Sequence, residues 1–217
     1  MRFSKNLVFN NISRIFLAAM LPVFVSANVL PDQNTPAFDR LKMQFETGNV
    51  YTASFVHEYN DTFTGEQQRT EGTIWVGKER YKIISGSNMM VVDSEISQVY
   101  DSSRNRVIIS DYVEEEDDFA PSRMLQGVDD TYSVSEYRHS NRTTEILLSS
   151  NDPFTIFIQV TIFLDELGVP MRIEAIDQVE NELTTFFVGG SFIPEDPDIF
   201  LFEYPEGAEQ IDLRHDS

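Results

Sequence analysis

The chain has 217 residues, 41% of them apolar and 24% charged, which suits one or two globular domains and excludes disordered, collagen-like and coiled-coil chains. Sixteen basic against 36 acidic side chains leave a net charge of -20, which repels phosphate backbones and anionic head groups and argues against DNA, RNA and electrostatic membrane docking. There is no cysteine, so thiolate metal sites, iron–sulfur clusters, thiol nucleophiles, disulfides and the acylated cysteine of a bacterial lipoprotein are excluded together.

Residues 1–27 have the composition of a secretory signal peptide. Arg2, Lys5 and Arg14 form a basic n-region without an acid, and Ile15–Val25 is an apolar run too short to span a bilayer. Val25-Ser26-Ala27 is a small-x-small site with cleavage expected after Ala27. Cleavage there takes three positive charges from -20 and leaves -23. The expected product is exported and soluble, with residues 28–34 as a polar leader and 35–217 as a single domain.

Thr35-Pro36 is expected to open a helix, with the threonine hydroxyl as N-cap and proline at the first helical position. Phe38, Leu41 and Phe45 then form one apolar stripe, and Gly48 ends it. Beyond Gly48 the apolar period changes to two. It predicts strands over Val50–Tyr59, Gln67–Gly77, Arg80–Ser85, Met89–Asp93, Ile96–Asp101 and Arg106–Tyr112. The second series is Thr131–His139, Thr143–Ser149, Phe154–Leu164, Pro170–Val179, Glu182–Val188 and Ile199–Tyr204. Short connections imply antiparallel neighbours. A dozen strands in one meander exceed what an open twisted sheet carries without curling, so a strongly curved antiparallel sheet or unclosed β-barrel is expected.

Each strand has an apolar face. Phe154, Ile156, Ile158, Val160, Ile162 and Leu164 alternate along one strand; Ile74 and Val76 share a face on the second, and Tyr81 and Ile83 on the third. Trp75, Phe157 and Phe163 fall on the opposite side, as half-covered aromatics or as signs of a shifted register. The meander is interrupted at Val113–Gly127. An acidic run, Glu114–Asp118, reads as a solvated loop, and Pro121–Leu125 reads as a short helix with Met124 and Leu125 apolar.

The usual catalytic signatures are missing from the sequence. His57, His139 and His215 lie far apart without metal-ligand spacing, and surface or packing roles suit them better than catalysis. No nucleophile elbow, Walker loop or dinucleotide fingerprint occurs. Gly189-Gly190-Ser191 reads as a turn. Asp61, Asp93 and the acidic run lack a calcium-loop pattern, and no pair of carboxylates stands out as glycosidic. No enzyme activity, cofactor or metal is therefore expected. A curved sheet covered by two small helices leaves an apolar cavity, and 17 phenylalanines and seven methionines suit an adaptable one.

The order of motifs resembles the periplasmic outer-membrane lipoprotein carrier family, LolA, along nearly the whole chain after residue 34. Tyr51-Thr52-Ala53-Ser54-Phe55 is similar to the family's aromatic-x-Ala-x-Phe strand, and Gly72-Thr73-Ile74-Trp75-Val76 to its Gly-x-Leu-Trp-Val strand. Arg80-Tyr81-Lys82, Val99-Tyr100-Asp101, Pro121–Leu125, Leu167-Gly168-Val169-Pro170 with Asp177, Phe200-Leu201-Phe202 and Pro205-Glu206-Gly207 follow in family order.

The resemblance implies an unclosed barrel lidded by helices, in the periplasm, whose cavity shelters lipoprotein acyl chains. Its partners would be an inner-membrane ABC transporter and an outer-membrane acceptor, and it would act as a monomer. On this reading Phe55, Ile74, Val76, Tyr81 and Ile83 line the acyl cavity with Phe154, Ile156, Ile158, Val160 and Ile162. Met124 and Leu125 form the lid. The family latches its lid with an arginine after the Trp-Val strand; here Lys78 is the positional match and Arg80 the chemical one. Two alternatives share the fold: a sensor or regulatory domain that binds a lipoprotein or protein partner, and a purely structural β-domain without a cavity.

Overall fold

The Phe38/Leu41/Phe45 stripe forms the helix its spacing predicts, α1 (Pro36–Glu46), with all three rings and chains buried. Its N-terminus is capped from a distance. Thr35 makes no side-chain cap bond; instead Glu136 Oε1 accepts the N–H groups of Ala37 at 2.8 Å and Phe38 at 2.7 Å. A carboxylate satisfies two orphan donors and complements the helix dipole better than a hydroxyl does. The computed structural model describes residues 35–113, 121–126 and 131–214, all within the unit Pro31–Ser217. The expected signal peptide and leader and the acidic run Glu114–Asp118 lie outside the described residues.

Twelve strands form one sheet: β1 (Asn49–Asn60), β2 (Gln67–Val76), β3 (Tyr81–Ser85), β4 (Asn88–Val92), β5 (Ile96–Asp101), β6 (Arg106–Asp111), β7 (Ser133–Arg138), β8 (Thr144–Ser149), β9 (Phe157–Leu164), β10 (Pro170–Asp177), β11 (Glu182–Pro194) and β12 (Glu209–Asp212). The spatial order is β12-β6-β5-β4-β3-β2-β1-β11-β10-β9-β8-β7. Among the described residues the end strands β12 and β7 do not pair, so the sheet is not closed into a barrel. The long β1 joins the two halves, with β2 on one side and β11 on the other.

One helix measures the curvature. α1 is bonded to Glu136 of β7 at its start, while Phe45 near its end meets Phe192 of β11 edge-on at 5.6 Å. Four inter-strand steps on a flat sheet would span about 19 Å. The helix advances only about 12 Å between those points. The sheet therefore wraps around α1. The second helix, α2 (Pro121–Gln126), packs beside it and buries Met124 and Leu125.

Four expectations are corrected. β9 begins at Phe157, not Phe154, because Asp152-Pro153 makes a turn in which Asp152 Oδ1 accepts the Phe154 N–H at 2.9 Å. Gly189-Gly190 is not a turn between strands but a bulge within β11, with Gly189 at φ +68 opposite the shift between Thr52 and Ser54. Ile199–Tyr204 is not a strand: Asp196 accepts from Asp198 N and starts a 3-10 turn, Pro197–Phe200. The last strand is β12, and it pairs with β6 parallel, against the antiparallel expectation.

The chain after β11 has an outer-face task. Phe200, Ile199 and Phe202 pack with Val50, Trp75, Met89, Val91 and Ile193. Lys82 fastens this cover, with Nζ donating to the Leu201 carbonyl at 2.9 Å and lying 6.0 Å from the Trp75 ring centre. Trp75 is thus a covered outer-face aromatic. Phe163 is likewise turned outward, under the Arg172 guanidinium at 3.9 Å from its ring centre.

Candidate functional site

The inner face holds one continuous apolar cluster. The strands contribute Tyr51, Ala53, Phe55, Ile74, Val76, Ile146, Leu148, Phe157, Val160, Ile162, Leu164, Ile173, Ala175 and Leu183. The helices contribute Ala37, Phe38, Leu41, Phe45, Met124 and Leu125. Five of the ten expected cavity residues, Phe55, Ile74, Val76, Val160 and Ile162, meet here with both lid residues. Ile83 packs partly buried against the same cluster, and Tyr81 sits in an adjoining one with Val92, its ring 6.5 Å from Tyr112.

Three residues of the β9 run depart from expectation. Phe154 is almost fully exposed in the turn before β9, and Ile156 is also outside the core. Ile158 lies at a bulge, where the register with β10 shifts between Ile176 and Asp177, and it is only half-buried. The bulge rephases the strand, so Phe157 points inward beside Val160 and Ile162 instead of outward.

Glycines make room for two inner-face rings. Tyr51 OH donates to the Pro170 carbonyl at 2.7 Å, and burial pushes its phenol pKa well up. To get there it crosses Gly190, where a Cβ would stand 2.6 Å from that hydroxyl. Gly72 faces Phe55 across the β1–β2 ladder in the same manner.

Beyond Phe55 the inner face turns polar and opens. A cleft of about 300 Å³ lies between the far ends of β1, β2, β10 and β11. Phe157 and Leu183, both members of the apolar cluster, line it beside His57, Tyr59, Gln68, Thr70, Asp177 and Asn181. Its size is near the lower limit for small-molecule sites. His57 Nδ1 lies 2.9 Å from Thr185 Oγ1, and burial lowers the imidazole pKa below 6.5. Partial desolvation and the carboxylates of Asp61, Asp177 and Glu66 raise the Tyr59 phenol. The sequence gives His57 a surface or packing role, marks Phe157 only as an aromatic on the opposite face, and does not single out Tyr59 or Leu183. Their one visible signal was the continuation of the Phe55 alternation through His57 to Tyr59.

The lowered imidazole makes stability pH-dependent. Below pH 6.5 the unfolded chain protonates His57 while the folded chain does not, so folding stability should fall as pH drops through 6.5 towards the folded value. Thermal melts of the wild type and His57→Gln between pH 8 and about 5 should diverge below pH 6.5, with the flatter profile in the variant. Parallel profiles would mean that the ring is protonated as readily in the fold as in the unfolded chain.

The expected latch residues lie at the opposite end of the sheet, around a charged cleft of about 560 Å³ with Glu79, Asp93, Ser94, Glu95 and Glu195. Lys78 Nζ pairs with Glu46 Oε2 at 3.0 Å, at the last residue of α1, and that hydrogen bond raises its pKa. Arg80 pairs with Glu195 and lies 4.7 Å from the centre of the Phe200 ring, which belongs to the outer-face cover. The positional match therefore grips α1, and the chemical match holds the C-terminal segment. Among the described residues no cluster of three His, Asp or Glu is arranged to hold a metal ion.

No protein-family model matches the chain, and no curated protein matches it in sequence. Solved structures do match. An uncharacterised conserved protein from Thermus thermophilus superposes with a TM-score of 0.52 at 12% identity, over 82% of this chain and 97% of its own. A putative outer membrane lipoprotein-sorting protein domain from Vibrio parahaemolyticus gives 0.42 at 9% identity, over 76% and 94% of the two chains. A LolA superfamily protein from Nitrosomonas europaea gives 0.42 at 8% identity, over 80% and 98%. The chain shares its fold with the Thermus thermophilus protein. On this fold the segments that carry the sequence resemblance take ordered places: Gly72–Val76 on β2, Tyr100-Asp101 at the end of β5, Pro121–Leu125 as α2, and Leu167–Pro170 in the β9–β10 hairpin.

Proposed function

We propose that residues 35–217 form a single-domain periplasmic carrier, released by cleavage after Ala27, that shelters lipoprotein acyl chains on the inner face of its sheet. The supporting observation is the composition of that face. Among the described residues its apolar cluster is completed by six side chains from two short helices, five of them large, not by a second sheet. Each such side chain is worth roughly 1.5–3 kcal/mol of burial, and each acyl methylene about 0.8 kcal/mol. A few methylenes thus replace each helix residue at similar free energy, which is what a reversible carrier needs. The reading includes no catalysis and no cofactor. It assigns cargo supply to an inner-membrane ABC transporter and delivery to an outer-membrane acceptor, with the carrier acting as a monomer.

Native mass spectrometry of the protein isolated from the periplasm tests this reading. The expected species is a one-to-one complex with an acylated protein or peptide, dissociated by a lipoprotein-acyl competitor. A stable complex with an unacylated protein instead would overturn it in favour of a sensor or regulatory domain.

A further inference from the structure

Three loops at the open end carry the most exposed large apolar side chains of that end: Phe63 at 96%, Phe154 at 93% and Val179 at 69% of full accessibility. The same device holds each one out. An aspartate two residues earlier accepts the backbone N–H of the apolar residue: Asp61 for Phe63 at 2.9 Å, Asp152 for Phe154 at 2.9 Å, and Asp177 for Val179 at 2.9 Å. The loops are also tied to one another. Thr62 N donates to Asn181 Oδ1 at 3.1 Å, and Gln178 Nε2 donates to the carbonyls of Asp152 at 3.1 Å and Thr155 at 2.9 Å. Asp177 and Asn181 belong both to this network and to the wall of the 300 Å³ cleft. The tips therefore form a braced crown around the cleft mouth.

We propose that this crown docks the protein on the surface of a zwitterionic phospholipid layer, with Phe63, Phe154 and Val179 inserted and the cleft mouth against the lipid. Separate projecting side chains on three loop tips suit a fluid layer, which closes around each of them, better than a flat protein surface. The charge selects the lipid. Residues 61–66, 150–156 and 177–181 contain no lysine or arginine, while Asp61, Glu66, Asp152, Asp177 and Glu180 lie within them. Such a collar repels anionic head groups and limits insertion to the tips. Behind the mouth, Phe157 and Leu183 continue into the inner-face cluster, so an acyl chain leaving the layer meets apolar surface. The docking stands on the loops alone; that acyl chains cross at this mouth rests on the carrier reading.

Leu167 supplies the control. It sits in an equivalent turn, with its N–H donating to Asp165 Oδ1 at 2.8 Å and 83% exposure, but in the β9–β10 hairpin at the other end of the sheet. The test is flotation of the chain lacking residues 1–27 with phosphatidylcholine vesicles, beside titration of a soluble fluorescent fatty-acyl probe. The wild type and Leu167→Ser should float alike. Phe63→Ser/Phe154→Ser/Val179→Ser should lose about tenfold or more in partitioning, since each inserted phenyl contributes roughly that factor. Circular dichroism and melting should match the wild type, because the changed side chains are exposed.

Failure of the wild type to float overturns the proposal, as does equal flotation of the triple variant or equal loss in Leu167→Ser. Binding that requires anionic lipid overturns it too. So does a crown that serves only self-association, seen as a dimer in sedimentation that the triple variant dissolves without any vesicle binding. A protein that binds the probe but does not float retains the carrier reading and loses the docking; one that floats but does not bind the probe does the reverse.

Discussion

Replacing Leu125 with alanine is expected to tighten acyl binding while making the empty protein less stable. Leu125 is fully buried in the inner-face cluster and belongs to a helix of six residues, too short to persist without its packing. A Leu→Ala change in such a site costs about 2–5 kcal/mol. If α2 occupies the space that acyl chains take, this cost falls on the closed state alone. Apparent affinity scales with the fraction of molecules that are open, so even about 2 kcal/mol should tighten binding by tenfold or more, until the open state dominates. Glu136→Ala should act in the same direction by releasing the N-terminus of α1. Val107→Ala is the comparison: it is equally buried, in β6 and outside the inner-face cluster, and should lower stability without tightening binding. Titration of a fluorescent fatty-acyl probe, paired with melting curves, separates these outcomes. If Leu125→Ala binds the probe no better than the wild type, α2 does not compete with ligand.

Much of this arrangement was legible in the sequence because it is local. The α1 stripe, the first eleven strands and the alternation that turns Ile74, Val76, Val160 and Ile162 inward all follow from spacing along one segment. The failures lie where one segment answers to another. A bulge set by β10 rephases β9, so Phe157 enters the core and Ile158 leaves it; the misplaced Phe157 ring hints at a shifted register, but no pattern within β9 says where the shift falls. Thr35 looked like the cap of α1 because its local chemistry suits the position; the actual cap arrives from β7, about a hundred residues away. Phe200 and Phe202 have the hydrophobicity of a strand but are used as an outer-face cover, and Asp196-Pro197 was the overlooked sign. The open-end cleft was least legible. His57, Tyr59, Asp177 and Asn181 are ordinary hairpin-end residues until β1, β2, β10 and β11 bring them around one mouth.

The largest loss of stability from a single methyl group is expected at Gly72. This glycine lies on β2 directly opposite Phe55, and its ideal Cβ position is 2.0 Å from the Ile84 carbonyl oxygen and 3.1 Å from the Phe55 ring. The first of these neighbours is backbone, in β3, so no rotamer change relieves it. Gly72→Ala must therefore push β2 and β3 apart where Thr73 pairs with Ile84, or displace the Phe55 ring from the inner face. Overpacking of flexible side chains costs about 1–3 kcal/mol, and a backbone obstacle should bring the cost to about 3 kcal/mol or more. For a domain of this size that corresponds to a fall in melting temperature of roughly 6–12 °C. Gly86→Ala separates the steric effect from the general one of adding a side chain to glycine. Gly86 has φ +57 and open space around its Cβ position, so its cost should be near 1 kcal/mol, the strain of a left-handed alanine. Equal melting temperatures for the two variants would mean that the β2–β3 ladder yields freely at this point. A selective loss at Gly72 would instead show that Phe55, the last member of the inner-face cluster along β1, is seated by a backbone approach that only glycine permits.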